Sequence, residues 1–133
     1  MYKDRLSYYE SLETERDTKL IIYVTGDRNG LQTQIHPEVL DFFAHHLDEI
    51  GNVKKITLFL YSSGGQTLAA WSIVNLLYQY CKELEVIVPA KALSAATLIC
   101  IGADRIIMTK QGTLGPIDPS VNTPLNPSIP DAP

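Results

Sequence analysis

The sequence predicts an α/β fold built on a mostly parallel sheet, and three observations carry that prediction. Compact apolar, β-branched runs recur at 19–25, 56–61, 84–88 and 105–108, which is the composition of strands. Stretches at 38–50 and 67–82 repeat apolar residues every three or four positions, as helices with a buried face do, and 95–102 is apolar all round, as a buried helix is; all three lie between the strands. The resulting order, strand–helix–strand–helix–strand–helix–strand, is that of βαβ units with right-handed crossovers.

A chain of 133 residues suffices for one domain with its own core. A net charge of −4 argues against a nucleic-acid partner, which requires a basic face. The first sixteen residues, MYKDRLSYYESLETER, are charged throughout and do not form a signal peptide. No apolar run is long enough to span a bilayer, so a cytoplasmic protein is expected. Cys81 and Cys100 fall in predicted helices and read as buried thiols of a reduced compartment rather than a disulfide.

Residues 1–18 carry only a weak helical stripe at Leu6, Tyr9 and Leu12 and are expected to form an N-terminal arm. KLIIYVT, 19–25, is the first strand, closed by the turn residues Gly26-Asp27-Arg28-Asn29-Gly30. Pro37 marks a helix start. The helix after it places Val39, Phe42, Phe43, His46, Leu47 and Ile50 on one face, and Gly51-Asn52 stops it. His45 and His46 diverge by about 100° around that helix, which puts one at the core edge and the other in solvent.

ITLFLY, 56–61, is nearly all apolar, as in a central parallel strand buried on both faces and covered by helices. In helix 67–82 the expected inner face is Leu68, Trp71, Val74, Leu77 and Tyr80 or Cys81, widened by Ile73 and Leu76. Trp71 and Tyr80 are therefore expected in the core. Pro89 ends the strand 84–88, and helix 95–102, apolar all round, belongs inside. Six of the eight prolines lie between Pro116 and Pro133. This rules out helix or central strand at 120–133 and is read as an extended segment leading into a longer chain.

Two strand-to-helix corners organise this pattern. The first is Ser62-Ser63-Gly64-Gly65 and the second Ala92-Leu93-Ser94-Ala95-Ala96-Thr97. On consecutive parallel strands they open at the same sheet edge. Paired glycines let backbone approach a ligand and leave unpaired N–H groups at a helix mouth; they also occur in plain tight turns. A serine before a helix is most often an N-cap. A hydroxyl facing spare amides, however, is the minimum equipment for acyl transfer.

These corners carry a resemblance. The region 56–119 resembles the Clp protease and crotonase superfamily, and within it the serine dehydrogenase proteinase family, relatives of signal peptide peptidase A. The residues that carry it are Ser62-Ser63-Gly64-Gly65, Ala92-Leu93-Ser94-Ala95-Ala96-Thr97, the stretch Ala103-Asp104-Arg105-Ile106-Ile107-Met108 and, most specifically, Leu114-Gly115-Pro116-Ile117-Asp118-Pro119. Ser63 departs mildly from the family's proline. The resemblance implies a spiral of ββα units over 19–119, with Ser94 as nucleophile and the amides of Gly64, Gly65 and Ala95 as oxyanion donors. Asp118 and Pro119 would form a wall near the site.

The activity implied is serine endopeptidase, without cofactor or metal. A serine hydroxyl needs a base. No histidine follows His46, so the histidine-dependent triad of the Clp proteases cannot be assembled. The Ser–Lys dyad of the nearer relatives places its lysine near or beyond Pro133. Lys91 and Lys110 are the alternatives within the chain, and each lies poorly for the task. The chain by itself is accordingly expected to be inactive or incomplete. Other functions for the same corners are an acyl-CoA enzyme of the crotonase type and a non-catalytic assembly module. Expected partners are a peptide or protein substrate and further copies of the chain, with Tyr8 and Tyr9 as contacts; a membrane-associated companion is left open.

Overall fold

The computed structural model describes residues 2–117; Asp118, Pro119 and the proline-rich stretch 120–133 lie outside the described residues. The N-terminal arm is helix α1 (Tyr2–Arg16). It is followed by β1 (Lys19–Val24), α2 (Val39–Ile50), β2 (Val53–Tyr61), α3 (Thr67–Tyr78), β3 (Cys81–Val88), β4 (Lys91–Ala92), α4 (Ala95–Ile101), β5 (Arg105–Met108) and β6 (Thr113–Leu114).

The main sheet has the order β1-β2-β3-β5 and every pairing is parallel. Chain order and spatial order coincide, so crossovers of one hand place the connecting helices on one face. There α2 packs on α3 and α3 on α4. Ile56, Leu58, Leu60, Leu84, Val86 and Val88, all fully buried, point to that helical layer. Tyr23 of β1 meets Phe43 of α2 edge-on, with ring centroids 5.2 Å apart.

The opposite face is closed differently. Thr57 and Glu85, paired in register on β2 and β3, are fully buried there. Arg16 at the end of α1 grips both carboxylate oxygens of Glu85, with Nη2 2.8 Å from Oε2. Lys55 Nζ lies 3.4 Å from the same carboxylate and Thr57 Oγ1 3.2 Å. The β2 run is thus buried on both faces, but ion pairs and α1 take the place of a second helical layer. A buried carboxylate persists only with such partners.

Three expectations about packing are corrected. Helix α3 ends at Tyr78, not at residue 82, because Cys81 is needed by β3, where it pairs with Val53. The inner face of α3 is Ala69, Ala70, Ile73 and Leu77, rotated by about one residue from the expected stripe. Small alanines let the helix approach the sheet closely, and Leu68 and Trp71 are left in solvent, Trp71 63% exposed. On α2, Phe42 and both His45 and His46 are exposed, and only Phe43 and Leu47 are fully inside. The two cysteines are free and buried, and burial pushes the Cys100 thiol up to about 11.

Candidate active site

Both corners lie at the carboxyl ends of the parallel strands, and a second, two-stranded sheet joins them. Ser62 forms a parallel bridge with Ala92. Its N–H donates to Lys91 O at 3.1 Å, and its carbonyl accepts from Leu93 N at 3.0 Å. The residue leading into the glycine pair is therefore hydrogen-bonded on both sides to the residues leading into Ser94. Strand β4 then pairs with β6, Ala92 opposite Leu114. This draws Leu114-Gly115-Pro116-Ile117, the most specific piece of the sequence, to the same place.

Gly64 and Ser94 are in contact. A Cβ added to Gly64 would lie 2.9 Å from Ser94 Cβ and 2.8 Å from Leu93 O. Gly64 has φ +113° and Gly65 φ +155°, and glycine alone takes such conformations cheaply. Gly65 pairs with Ile35, which is fully buried; a Cβ on Gly65 would come within 2.3 Å of Ile35 O. The loop between β1 and α2 thus backs the first corner.

Ser94 does not cap its helix. It precedes α4 with φ +54°, ψ −120° and makes no side-chain cap hydrogen bond. Among the described residues only Asp17 shares a positive φ without being glycine. Such a backbone costs of order 1–3 kcal/mol and persists only where its surroundings enforce it. The enforcement is visible. Ala96 N donates to Leu93 O and Thr97 N to Ser94 O, at 3.0 and 2.9 Å. The buried Thr97 hydroxyl lies 2.7 Å from Ala92 O and 3.0 Å from Gly115 O, and it accepts from Gly115 N at 3.1 Å.

The three amides proposed from the sequence are not equivalent. Gly64 N donates to Ser62 Oγ at 3.0 Å. The N–H groups of Gly65 and Ala95 find no acceptor among the described residues. Polar groups this close to a packed corner seldom stay unpaired, and two free amides flanking a strained serine can hold an oxygen that gains negative charge.

Neither lysine of the chain offered as a base is suited to the role. Lys91 Nζ lies 2.7 Å from Asp27 Oδ2 and 5.4 Å from the centre of the Tyr61 ring, and Tyr61 Oη donates to the same Asp27 oxygen at 2.6 Å. The bond to Asp27 holds the Lys91 ammonium above the ordinary lysine value, whereas a base must be free of its proton. Lys110 is exposed beyond β5. His45 and His46 lie on α2, where His45 Nε2 sits 3.5 Å from Glu49, and His36 lies in the loop before it, 3.9 Å from Glu38. Among the described residues no cluster of His, Cys, Asp or Glu could hold a metal ion, and no helix is long and apolar enough to cross a membrane.

Sequence reasoning places Ser62 and Thr97 in the corner motifs without a role of their own, and it misses Thr25 and Ile35; these four residues hold the corners. Their signal is weak: Thr25 and Ser62 are single small polar residues at strand ends, where turn chemistry is common anyway, Ile35 is one apolar residue in a loop, and Thr97 is one polar residue in an apolar helix.

With this geometry in view, comparisons with known proteins define the class. A family model described as ClpP-like SDH-type serine proteinase matches residues 46–132, and the chain belongs to that family. It is 43% identical over 76 residues to the uncharacterized protein MJ0137 of Methanocaldococcus jannaschii, covering 57% of this chain and 27% of that one. It is 38% identical over 66 residues to the uncharacterized protein MJ1495 of the same organism, covering 50% and 23%. The matched region spans about a quarter of the length of these curated relatives. The ClpP protease catalytic domain from Plasmodium falciparum has the same fold, with a TM-score of 0.54 at 17% identity, covering 80% of this chain and 61% of that one.

Proposed function

We propose that this chain carries the nucleophile-bearing part of a serine endopeptidase. Ser94 Oγ attacks a peptide carbonyl, and the amides of Gly65 and Ala95 hold the oxygen as it becomes negative. The bond to the leaving amine breaks, and the acyl group passes to Ser94 and then to water. One oxyanion donor is typically worth about 2.7–4 kcal/mol in the transition state. Gly64 serves the site by its missing side chain, since its own amide is already engaged by Ser62.

The observation that carries this reading is the backbone of Ser94, held at φ +54° against Gly64 with its hydroxyl released from capping. A serine that merely started a helix would sit in an extended conformation with its oxygen on an amide of the first turn. The general base in this reading is a lysine from outside residues 2–117, desolvated to lower its pKa. Such a residue has room in relatives of which the match covers about a quarter.

Treatment with a biotinylated fluorophosphonate, followed by peptide mapping, tests the proposal. Label on Ser94, lost in Ser94→Ala, is the expected result in a chain that carries the base lysine, and weak or no label in residues 1–133 alone. Absence of label on Ser94, both in this chain and in a natural chain extended beyond residue 133, would defeat it.

A further inference from the structure

The glycine corner is aimed by a buried hydroxyl that takes no part in the chemistry. Resting on the serine-peptidase reading above, we propose that Ser62 is the positioning residue of the oxyanion site, and that Thr25 supports it. Ser62 is fully buried and Thr25 3% exposed. Thr25 Oγ1 donates to Ser62 Oγ at 2.8 Å, and Ser62 Oγ accepts the Gly64 N–H at 3.0 Å. Thr25 is itself held at the end of β1, its N–H 2.9 Å from Tyr61 O.

The peptide planes show what this does. The Ser63–Gly64 amide is turned inward by Ser62 Oγ, so its N–H is withdrawn from the cleft. The carbonyl of Gly64 accepts from Ile35 N at 2.9 Å. No peptide bond here is cis, and across a trans peptide the C=O and the following N–H point in opposite directions. The Gly65 N–H is therefore directed away from Ile35 and left without an acceptor. Two glycines with positive φ would otherwise sample many such orientations. Ser62 removes that freedom through one side-chain bond, while its own backbone is fixed to Lys91 and Leu93, on the approach to Ser94. One residue thus sets the donor relative to the nucleophile.

The test compares the rate constant for phosphonylation of Ser94 by a fluorophosphonate, whose phosphoryl oxygen gains charge where the carbonyl oxygen would. The proteins are wild type, Ser62→Ala, Thr25→Val and Thr25→Ser, each in a chain that carries the base lysine. Ser62→Ala is expected to slow labelling at least tenfold at a temperature where it remains folded. Thr25→Val should slow it about threefold, and Thr25→Ser should restore it, since the hydroxyl and not the methyl is used. A second readout is the amide NMR spectrum. Gly64 N–H should lose exchange protection in Ser62→Ala, and the downfield shift of Gly65 N–H on phosphonylation should shrink with the rate.

A folded Ser62→Ala that labels at the wild-type rate overturns the inference and leaves the peptidase reading intact. Wild-type protein unlabelled at Ser94, both in this chain and in one that carries the base lysine, overturns that reading and this inference with it. If Ser62→Ala does not fold, the Thr25 pair decides: equal rates in Thr25→Val and Thr25→Ser overturn it.

Discussion

Gly64 and Ser94, thirty residues apart in sequence, stand so close that a Cβ on the first would lie 2.9 Å from the Cβ of the second. The contact is an outcome of topology. Adjacent parallel strands β2 and β3 deliver their carboxyl ends to one edge, and the bridge from Ser62 to Ala92 brings the corners together. Gly64→Ala attacks this contact twice, through the clash and through φ +113°. It should destabilise the fold by about 1–3 kcal/mol from the backbone alone and abolish fluorophosphonate labelling of Ser94. Urea unfolding and labelling of the same sample check it; a labelled, stable variant would show that the corners are not in contact.

Ser94 presents the opposite trade. Its φ of +54° costs a β-carbon-bearing residue what it spares glycine. Ser94→Gly should therefore raise stability by about 1 kcal/mol while removing all labelling. A gain in stability on deleting a residue is the mark of strain kept for function. Equal or lower stability of Ser94→Gly in denaturant would show that this backbone is not strained.

How far the sequence anticipated these features depended on length and period. The strand ITLFLY and the apolar helix after Ser94 were legible because several consecutive residues agree. The corners were legible because glycine pairs and a small-residue run have few uses after a buried strand. Strands β4 and β6, two residues each, are too short to have a period, yet Ala92–Leu114 pairing is what brings Gly115 to within contact of Leu93. Trp71 misled because hydrophobicity ranks it above Ala69 and Ala70, whereas packing against a sheet selects for close approach. Glu85 was hidden in a strand whose charges alternate with apolar residues, a pattern shared with any half-exposed strand; its partner Arg16 lies 69 residues away.

Lys91 is three residues from Ser94 and would be the obvious base by proximity. Its bond to Asp27, and the resulting upward shift, keep it protonated at neutral pH. Asp27 is correspondingly held below the usual carboxylate range by Lys91 and by Tyr61. Lys91→Met should leave the inflection in the pH profile of Ser94 labelling where it is and change the rate by less than about threefold, since no donor of the oxyanion site is lost. Disappearance of the inflection would identify Lys91 as the base after all.

The buried Glu85 gives the fold an acid limit. Its bond to Arg16, then the charges of Lys55 and Arg16, hold the carboxyl below the ordinary glutamate value despite burial. The sign follows from linkage. A carboxyl depressed in the folded state contributes stability above its unfolded value of about 4.3, and that contribution is lost as pH falls through the folded value. Glu85→Gln should cost about 1.5–3 kcal/mol at pH 7, the range for hydrogen bonds to a charged group. The gap to wild type should narrow only below about pH 4.3. Because Arg16 ends α1, exchange protection in α1 should fall in the variant more than protection in α3. Urea unfolding at a series of pH values, with hydrogen exchange resolved by segment, separates this from a generic core defect. A gap that stayed constant on acidification would mean that Glu85 is held by shape and not by charge.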